Sequence, residues 1–309
     1  MRGRVIRSTG SFATVKTESS QTLECTIRGV FRLKGIRSTN PVAVGDWVEV
    51  SGEAGETAIT EIYPRENYII RKSINLSKES HILAANIDQA FVIATLHSPR
   101  TSLGFIDRLL VTCEAYLIPV SIVLNKIDLY NSPKDKKNVE HMYEVYRAAG
   151  YRIIETSVEN KTGIEALKEA MRGKVNLFSG HSGAGKSSLI NMLAPGVNLR
   201  TGALSSAHNK GQHTTTFAEL HELFADTWII DTPGIKEFGM VDMEKYELGG
   251  YFPEIALLSE GCKFNNCLHI SEPGCAVREH AGTEQLHARR YESYLGMLES
   301  DELKKIWKD

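Results

Sequence analysis

Val175-Asn176-Leu177-Phe178-Ser179-Gly180-His181-Ser182-Gly183-Ala184-Gly185-Lys186-Ser187-Ser188-Leu189 decides the fold. Val175–Ser179 is a short apolar run of the buried-strand type. Gly180-x4-Gly185-Lys186-Ser187 follows it, and a helix is expected to open at Lys186-Ser187-Ser188-Leu189. Small residues let backbone N–H groups close on phosphate oxygens, and the helix N-terminus adds a favourable dipole. Lys186 is expected at the β- and γ-phosphates and Ser187 on Mg²⁺. Gly180, His181, Ser182, Gly183, Ala184, Gly185, Lys186, Ser187 and Ser188 therefore read as a nucleotide phosphate cradle. The strand before it and the helix after it separate it from a chance Gly-rich turn.

Moving upstream, Asn125-Lys126-Ile127-Asp128 ends the apolar run Val120–Leu124. A carboxylate at Asp128 can accept from both the ring N–H and the exocyclic amine of guanine. Adenine offers no such pair and would leave the carboxylate unpaired, which disfavours an ATP-using kinase. Thr156-Ser157 closes a further strand and is expected to aim a backbone N–H at the guanine oxygen. Downstream come Thr214-Thr215-Thr216 and Asp231-Thr232-Pro233-Gly234. Thr215 and Asp231 are expected to complete the Mg²⁺ shell, and the Gly234 N–H to meet the γ-phosphate. Their dependence on that phosphate makes an order–disorder switch.

These motifs are complete but out of order. An ordinary domain of this kind opens with the phosphate loop and places Asn-Lys-x-Asp near its end; here the domain has been cut open and rejoined. Ile235 stands where a water-orienting Gln would follow Asp-x-x-Gly. Isoleucine cannot orient water, so slow intrinsic hydrolysis is expected. A nucleotide-gated RNA-binding module with negligible turnover is the rival reading. His213, just before the threonines, is the internal candidate for the missing polar group.

Residues 71–240 alternate strands and helices, as in a doubly wound α/β domain with ligands at the carboxyl ends of its strands. Phe105, Ile106, Leu109, Leu110, Cys113 and Tyr116 mark one helix face; residues 195–216 lack periodicity and read as a loop. Residues 1–70 differ: Arg4–Arg7, Phe12–Thr17, Thr22–Val30, Trp47–Val50 and Ala58–Ile62 are short strand-like runs with turns between them. Five such strands suit a small barrel of the oligonucleotide-binding type, with an SH3-like barrel as the alternative. Residues 1–40 carry a local net charge of +6, in a chain whose overall net charge is −2. That segment could face phosphate, or be a solvated surface.

Residues 241–309 form a third part, with a polar, helical tail expected from Thr283 to Trp307. Cys262-x4-Cys267-x-His269-x5-Cys275 supplies three thiolates and one imidazole, the ligand count of a closed, structural Zn²⁺ site. His280 and His287 are rival ligands placed less compactly. Cys25 and Cys113 read as ordinary buried thiols. Cysteines grouped for metal rather than paired for disulfides point to a reducing compartment, so the cytoplasm is expected. No apolar leader and no membrane-length apolar run is apparent. Nothing in the sequence demands more than a monomer.

Taken together, the barrel with Val44-Gly45-Asp46-Trp47-Val48, the permuted motif order, Gly211-Gln212-His213-Thr214-Thr215-Thr216, Asp231-Thr232-Pro233-Gly234 and the Cys/His cluster resemble the ribosome small-subunit-dependent GTPase A (RsgA/YjeQ) family of circularly permuted GTPases. The likeness runs the whole chain; Ala184, where Val is expected, is a minor departure. The resemblance implies an N-terminal all-β OB-fold barrel, a central permuted P-loop GTPase domain and a C-terminal, mostly α zinc-binding domain. It further implies binding to the 30S subunit and its 16S rRNA, subunit-stimulated GTP hydrolysis and a role in late 30S maturation. The family's proposed catalytic His maps onto His213, and its hydrophobic residue in the Gln slot onto Ile235. Because the Asp231–Gly234 loop runs toward the zinc module, the γ-phosphate state is expected to set that module's angle.

Overall fold

The computed structural model describes residues 1–27, 41–52, 56–71, 81–196, 218–231 and 243–300. His213, Thr214, Thr215, Thr216, Gly234, Ile235 and the end of the tail lie outside the described residues, as does the side chain of Asp231. The described chain begins with five strands: β1 (Arg2–Ser8), β2 (Phe12–Thr17), β3 (Thr22–Ile27), β4 (Trp47–Ser51) and β5 (Ala58–Ile62). Pairing runs β1–β2–β3–β5–β4 and returns from β4 to β1, closing a barrel with β3 and β5 parallel and the other pairs antiparallel. Closure removes the exposed edges that short strands would otherwise present. Alternation along each strand sends Val5, Ala13, Val15, Cys25, Val48, Val50 and Ile59 into one apolar core.

The Val44–Val48 segment has a physical reason for its residues. Gly45 sits at φ +90°, and a Cβ there would lie 2.0 Å from the Ala85 carbonyl oxygen. Asp46 is fully buried; it accepts from the Ala43 N–H at 2.8 Å and from Arg65 Nε and Nη2 at 2.6 and 2.7 Å. This bidentate pair ties the barrel to the chain leaving it. That chain forms a hairpin, β6 (Tyr68–Arg71) with β7 (His81–Ala85), which the sequence reading missed.

Strands and helices then alternate: β8 (Gln89–Ala94), α1 (Leu103–Ala115), β9 (Val120–Asn125), α2 (Pro133–Ala148), β10 (Ile153–Thr156), α3 (Ile164–Met171), β11 (Val175–Ser179) and α4 (Lys186–Leu193). An antiparallel pair follows, β12 (Glu219–Phe224) and β13 (Thr227–Asp231), with β13 parallel to β11. Helix α2 shows why its start is so definite: Ser132 and Asp135 form a reciprocal capping box around Pro133. The C-terminal segment holds α5 (Pro253–Ser259), α6 (Ala276–His280) and α7 (Ala288–Leu298). Among the described residues of the tail expected to be helical, 283–300, helix α7 covers Ala288–Leu298.

The chain packs as two compact units. One holds Met1–Ala90, Lys168–Phe178 and Ser187–Gly239; the other holds Phe91–Leu167, Ser179–Lys186 and Met240–Asp309. Each draws on more than one of the expected segments 1–70, 71–240 and 241–309, because strand order and chain order differ. The second unit therefore contains the Asn-Lys-x-Asp strand, the phosphate loop and the Cys/His cluster together. No helix among the described residues is long and apolar enough to cross a membrane.

Candidate functional site

In the second unit the motifs expected to read the base meet the expected phosphate loop at the ends of β9 and β10, which run parallel with Thr156 opposite Asn125. Strand ends that run parallel bring their following loops to one edge, where ligands collect. Asn125, 1% exposed, is the hub. Its Oδ1 accepts from the Thr156 hydroxyl at 3.0 Å, and its Nδ2 donates to the Ala184 carbonyl at 2.9 Å. One amide thus joins both base loops to the phosphate loop. The same closeness explains Gly185: a Cβ there would stand 2.3 Å from Asn125 Nδ2. Gly180 is constrained alike, since its Cβ would lie 2.4 Å from the Ile93 carbonyl oxygen.

Lys126 adopts a left-handed φ of 65° and donates to the Ser98 and Gly183 carbonyls, the latter at 2.9 Å. It is a second tie across the phosphate loop. Lys186 Nζ donates to the Gly180 and His181 carbonyls at 2.6 and 2.8 Å, so the ammonium already sits inside the loop. Ser187 follows in the first turn of α4, and Ala184 is fully buried beneath the loop. Asp128, half-buried, accepts from the Ser157 hydroxyl. The Ser157 N–H donates to the Thr162 carbonyl at 3.0 Å. The hydroxyls of Thr156 and Ser157 thus hold the side chains of Asn125 and Asp128.

His181 turns away from the loop's interior and stacks on Phe105 of α1, with centroids 3.8 Å apart and planes 23° apart. Burial and the Lys186 charge push its imidazole below the usual range, leaving a neutral ring for stacking. Two residues along α1, Asp107 meets Arg290 of α7. Arg290 and Asp107 are fully buried. Arg290 Nη1 donates to Asp107 at 2.6 Å and Nε to Glu254 at 2.6 Å, while the ring of Phe252 lies 4.6 Å from the guanidinium. Burial works against that charge, but Asp107 and Glu254 outweigh it and hold the guanidinium protonated. Sequence reasoning had no signal for this triad, whose members lie far apart in the chain.

Beyond the triad, all four expected metal ligands converge. Donor atoms of Cys262, Cys267, His269 and Cys275 lie within 4.8 Å of one another. Cys262 Sγ and Cys275 Sγ are 3.9 Å apart, and His269 Nδ1 is 3.6 and 3.4 Å from them. A tetrahedral Zn²⁺ with Zn–S of about 2.3 Å and Zn–N of about 2.0 Å spaces its donors about 3.4–3.8 Å apart, so the residues fit that ion. Burial pushes the Cys267 thiol up to about 12, so a thiolate there needs a cation beside it. Tyr291 and Tyr294 donate to the His269 and Leu268 carbonyls at 2.6 and 2.8 Å and fix the ligand loop. Glu272, also missed in the sequence, accepts from the Leu268, Ile270 and Ser271 N–H groups. Burial opposes its ionisation, but these backbone donors hold the carboxyl well below its usual range, at about 2. The rival ligands go elsewhere: His280 Nδ1 pairs with the Ala276 carbonyl, and His287 lies against His141.

Comparison with known proteins agrees with this geometry. A family model described as "RsgA GTPase" matches residues 62–241, and one described as "RsgA N-terminal domain" matches residues 2–59. "Small ribosomal subunit biogenesis GTPase RsgA 2" of Bacteroides thetaiotaomicron is 52% identical over 98% of this chain and 97% of that protein. "Small ribosomal subunit biogenesis GTPase RsgA" of Flavobacterium johnsoniae is 49% identical over 98% and 94%. The crystal structure of YjeQ from Thermotoga maritima superposes with a TM-score of 0.80 at 34% identity, covering 96% of each chain. YloQ, described as a circularly permuted GTPase, superposes with a TM-score of 0.76 at 29% identity, covering 98% of this chain and 95% of its own. The chain belongs to the RsgA GTPase family and is a GTP-hydrolysing enzyme of permuted fold.

Proposed function

We propose that this member of the RsgA family hydrolyses GTP in late maturation of the small (30S) ribosomal subunit, that its nucleotide state gates binding to the subunit and its 16S rRNA, and that the subunit stimulates turnover. The printed names of the Bacteroides and Flavobacterium relatives support the assembly role. The observation that carries the nucleotide reading is Asn125, whose side chain joins the base loops to the phosphate loop. A pocket built this way reads base and phosphate together.

In this reading Asp128 accepts from the guanine edge, and the loop from Gly180 to Ser188 wraps the phosphates. Lys186 exchanges its loop carbonyls for the β- and γ-phosphate oxygens. Ser187, Thr215 and Asp231 would hold Mg²⁺, which would neutralise charge developing on the phosphates. The Gly234 N–H meets the γ-phosphate. Ile235 supplies no polar group, so His213 orients the attacking water, aided by the subunit. Cys262, Cys267, His269 and Cys275 would hold one structural Zn²⁺ that keeps the C-terminal fold. The working division is a barrel over 1–70 for rRNA, the GTPase over 71–240 and the zinc module over 241–309. The protein acts as a cytoplasmic monomer.

GTP hydrolysis measured with and without purified 30S subunits tests this for wild type, His213→Ala and Lys186→Ala. Stimulation in the wild type, its loss in His213→Ala and no turnover in Lys186→Ala are expected. Unstimulated wild-type turnover would favour the nucleotide-gated binding module instead, and a fully active Lys186→Ala would end the proposal.

A further inference from the structure

Three donor side chains outside both sites come from distant parts of the second unit to one place. His141 and Glu144 lie one turn apart on α2, and His287 immediately precedes α7. Their donor atoms all lie within 4.8 Å of one another. His141 Nδ1 is 3.6 Å from Glu144 Oε2, and the His141 and His287 rings meet edge to face with centroids 5.3 Å apart. Both rings are half-buried and Glu144 is exposed.

We propose that His141, Glu144 and His287 form a second, exchangeable site for a borderline divalent transition ion, Zn²⁺ in the first instance. Imidazole with one carboxylate suits Zn²⁺, Ni²⁺ and Cu²⁺, whereas Ca²⁺ and Mg²⁺ prefer oxygen donors throughout. A His-x-x-Glu pair presents both groups on one helix face, the spacing that helical bundles use for metal ligands. At 3.6 Å the His141–Glu144 pair is too long for a hydrogen bond, and it is close to the spacing of two donors on one ion. Three protein ligands leave a coordination position for water, and the open surroundings let the ion leave. The site differs in kind from the Cys262 cluster, which is closed and rich in thiolate.

His287 has a competing task. Its Nδ1 accepts from the Arg289 N–H at 3.1 Å and caps α7. In the neutral ring the proton then sits on Nε2. Ligation through Nε2 moves that proton to Nδ1 and ends the cap; ligation through Nδ1 displaces the Arg289 N–H directly. Either way an exposed amide passes to water, which lowers metal affinity by roughly fivefold. The ion then ties α2, which follows the guanine motif, to the helix that carries Arg290.

The full-length protein, with its thiolate site loaded, is titrated with Zn²⁺ against a competing chromophoric chelator, and with Cu²⁺ by electron paramagnetic resonance. A second equivalent is expected, with two-nitrogen hyperfine structure for Cu²⁺, removable by a mild chelator that spares the first. His287→Asn keeps a residue competent to cap α7 while removing the imidazole, and His141→Gln removes the other ring. Each is expected to weaken the second equivalent by roughly 10–100-fold, with the sulfur-to-cobalt charge-transfer bands of the Co²⁺ form and the unfolding temperature in mild chelator unchanged. A single equivalent in the wild type, or a second equivalent that both variants bind as tightly, would overturn the site. So would millimolar binding alone, which would mark an adventitious ion.

Discussion

The guanine corner and the metal module share one compact unit, yet opposite means hold them together. At the corner, single hydrogen bonds join loop to loop: the Asn125 amide bonds Thr156 and Ala184, and the Lys126 ammonium crosses to the Gly183 carbonyl. Each bond is worth about 1 kcal/mol net, somewhat more where the ammonium donates. The module instead has short helices, a Cys₃His cluster and a buried guanidinium between two carboxylates. Its members cannot be removed singly without leaving a buried charge or an unbalanced donor set. The corner is therefore built to open and close around a ligand, and the module to stay shut. An anchor as buried as Arg290 on α1 also argues against a module that swings freely with the nucleotide state.

Removing the metal attacks this contrast hardest. Structural zinc sites of this type carry apparent binding free energies of about 10–16 kcal/mol, most of it folding free energy. Strong chelation, or Cys267→Ser, is expected to abolish the near-ultraviolet signal of the packed tyrosines and to open residues 243–300 to protease. A fluorescent guanine nucleotide should still bind, weakened by no more than roughly tenfold. A module that keeps its protease resistance without metal would show that the apolar core, not the ion, holds it.

The triad comes next. Asp107→Ala or Glu254→Ala leaves Arg290 under-compensated and is expected to lower stability by about 3–5 kcal/mol. Asp107→Leu with Glu254→Leu and Arg290→Met removes all three charges and should cost far less. Denaturant melts of the single and triple variants compare the two; equal losses would mean that packing, not charge, dominates. Asn125→Ala is smaller, at about 1–3 kcal/mol, because the Ala184 carbonyl and the Thr156 hydroxyl lose one partner each. Its effect on nucleotide affinity should exceed its effect on the melt, the reverse of the triad.

The same contrast governs what the sequence could disclose. Corner residues follow apolar strands directly, so strand ends at Asn125, Thr156 and Ser179 were legible from β-type runs and short motifs. The barrel strands matched within a few residues for the same reason, since alternation is a local signal. The four metal ligands announced themselves by chemistry and close spacing. Arg290, Asp107 and Glu254 did not, since one of two adjacent Arg residues in a polar helix reads as surface and its partners arrive only through tertiary packing. Hairpin β6–β7 was hidden between two stronger patterns. Glu272 was hidden because a loop carboxylate shows its worth only once backbone amides turn toward it.

The least disruptive change asks whether the corner is set before nucleotide arrives. Ser157→Ala removes one hydroxyl, the donor to Asp128, and leaves the Ser157 N–H on the Thr162 carbonyl. Asp128 stays half-buried and can turn to water, so the fold should lose no more than about 1 kcal/mol. Nucleotide binding is the more sensitive reading, because in the proposed function Asp128 presents its oxygens to two guanine donors at once. A carboxylate free to rotate has to be ordered on binding, which weakens GTP and GDP equally, by roughly fivefold. Equal weakening is the key, for the base is common to both nucleotides and the γ-phosphate is not. Titration of the two nucleotides into wild type and Ser157→Ala decides the matter. Unchanged affinities would show that Asp128 is ordered by guanine alone, and a loss confined to GTP would show that the corner senses the phosphate end through Asn125.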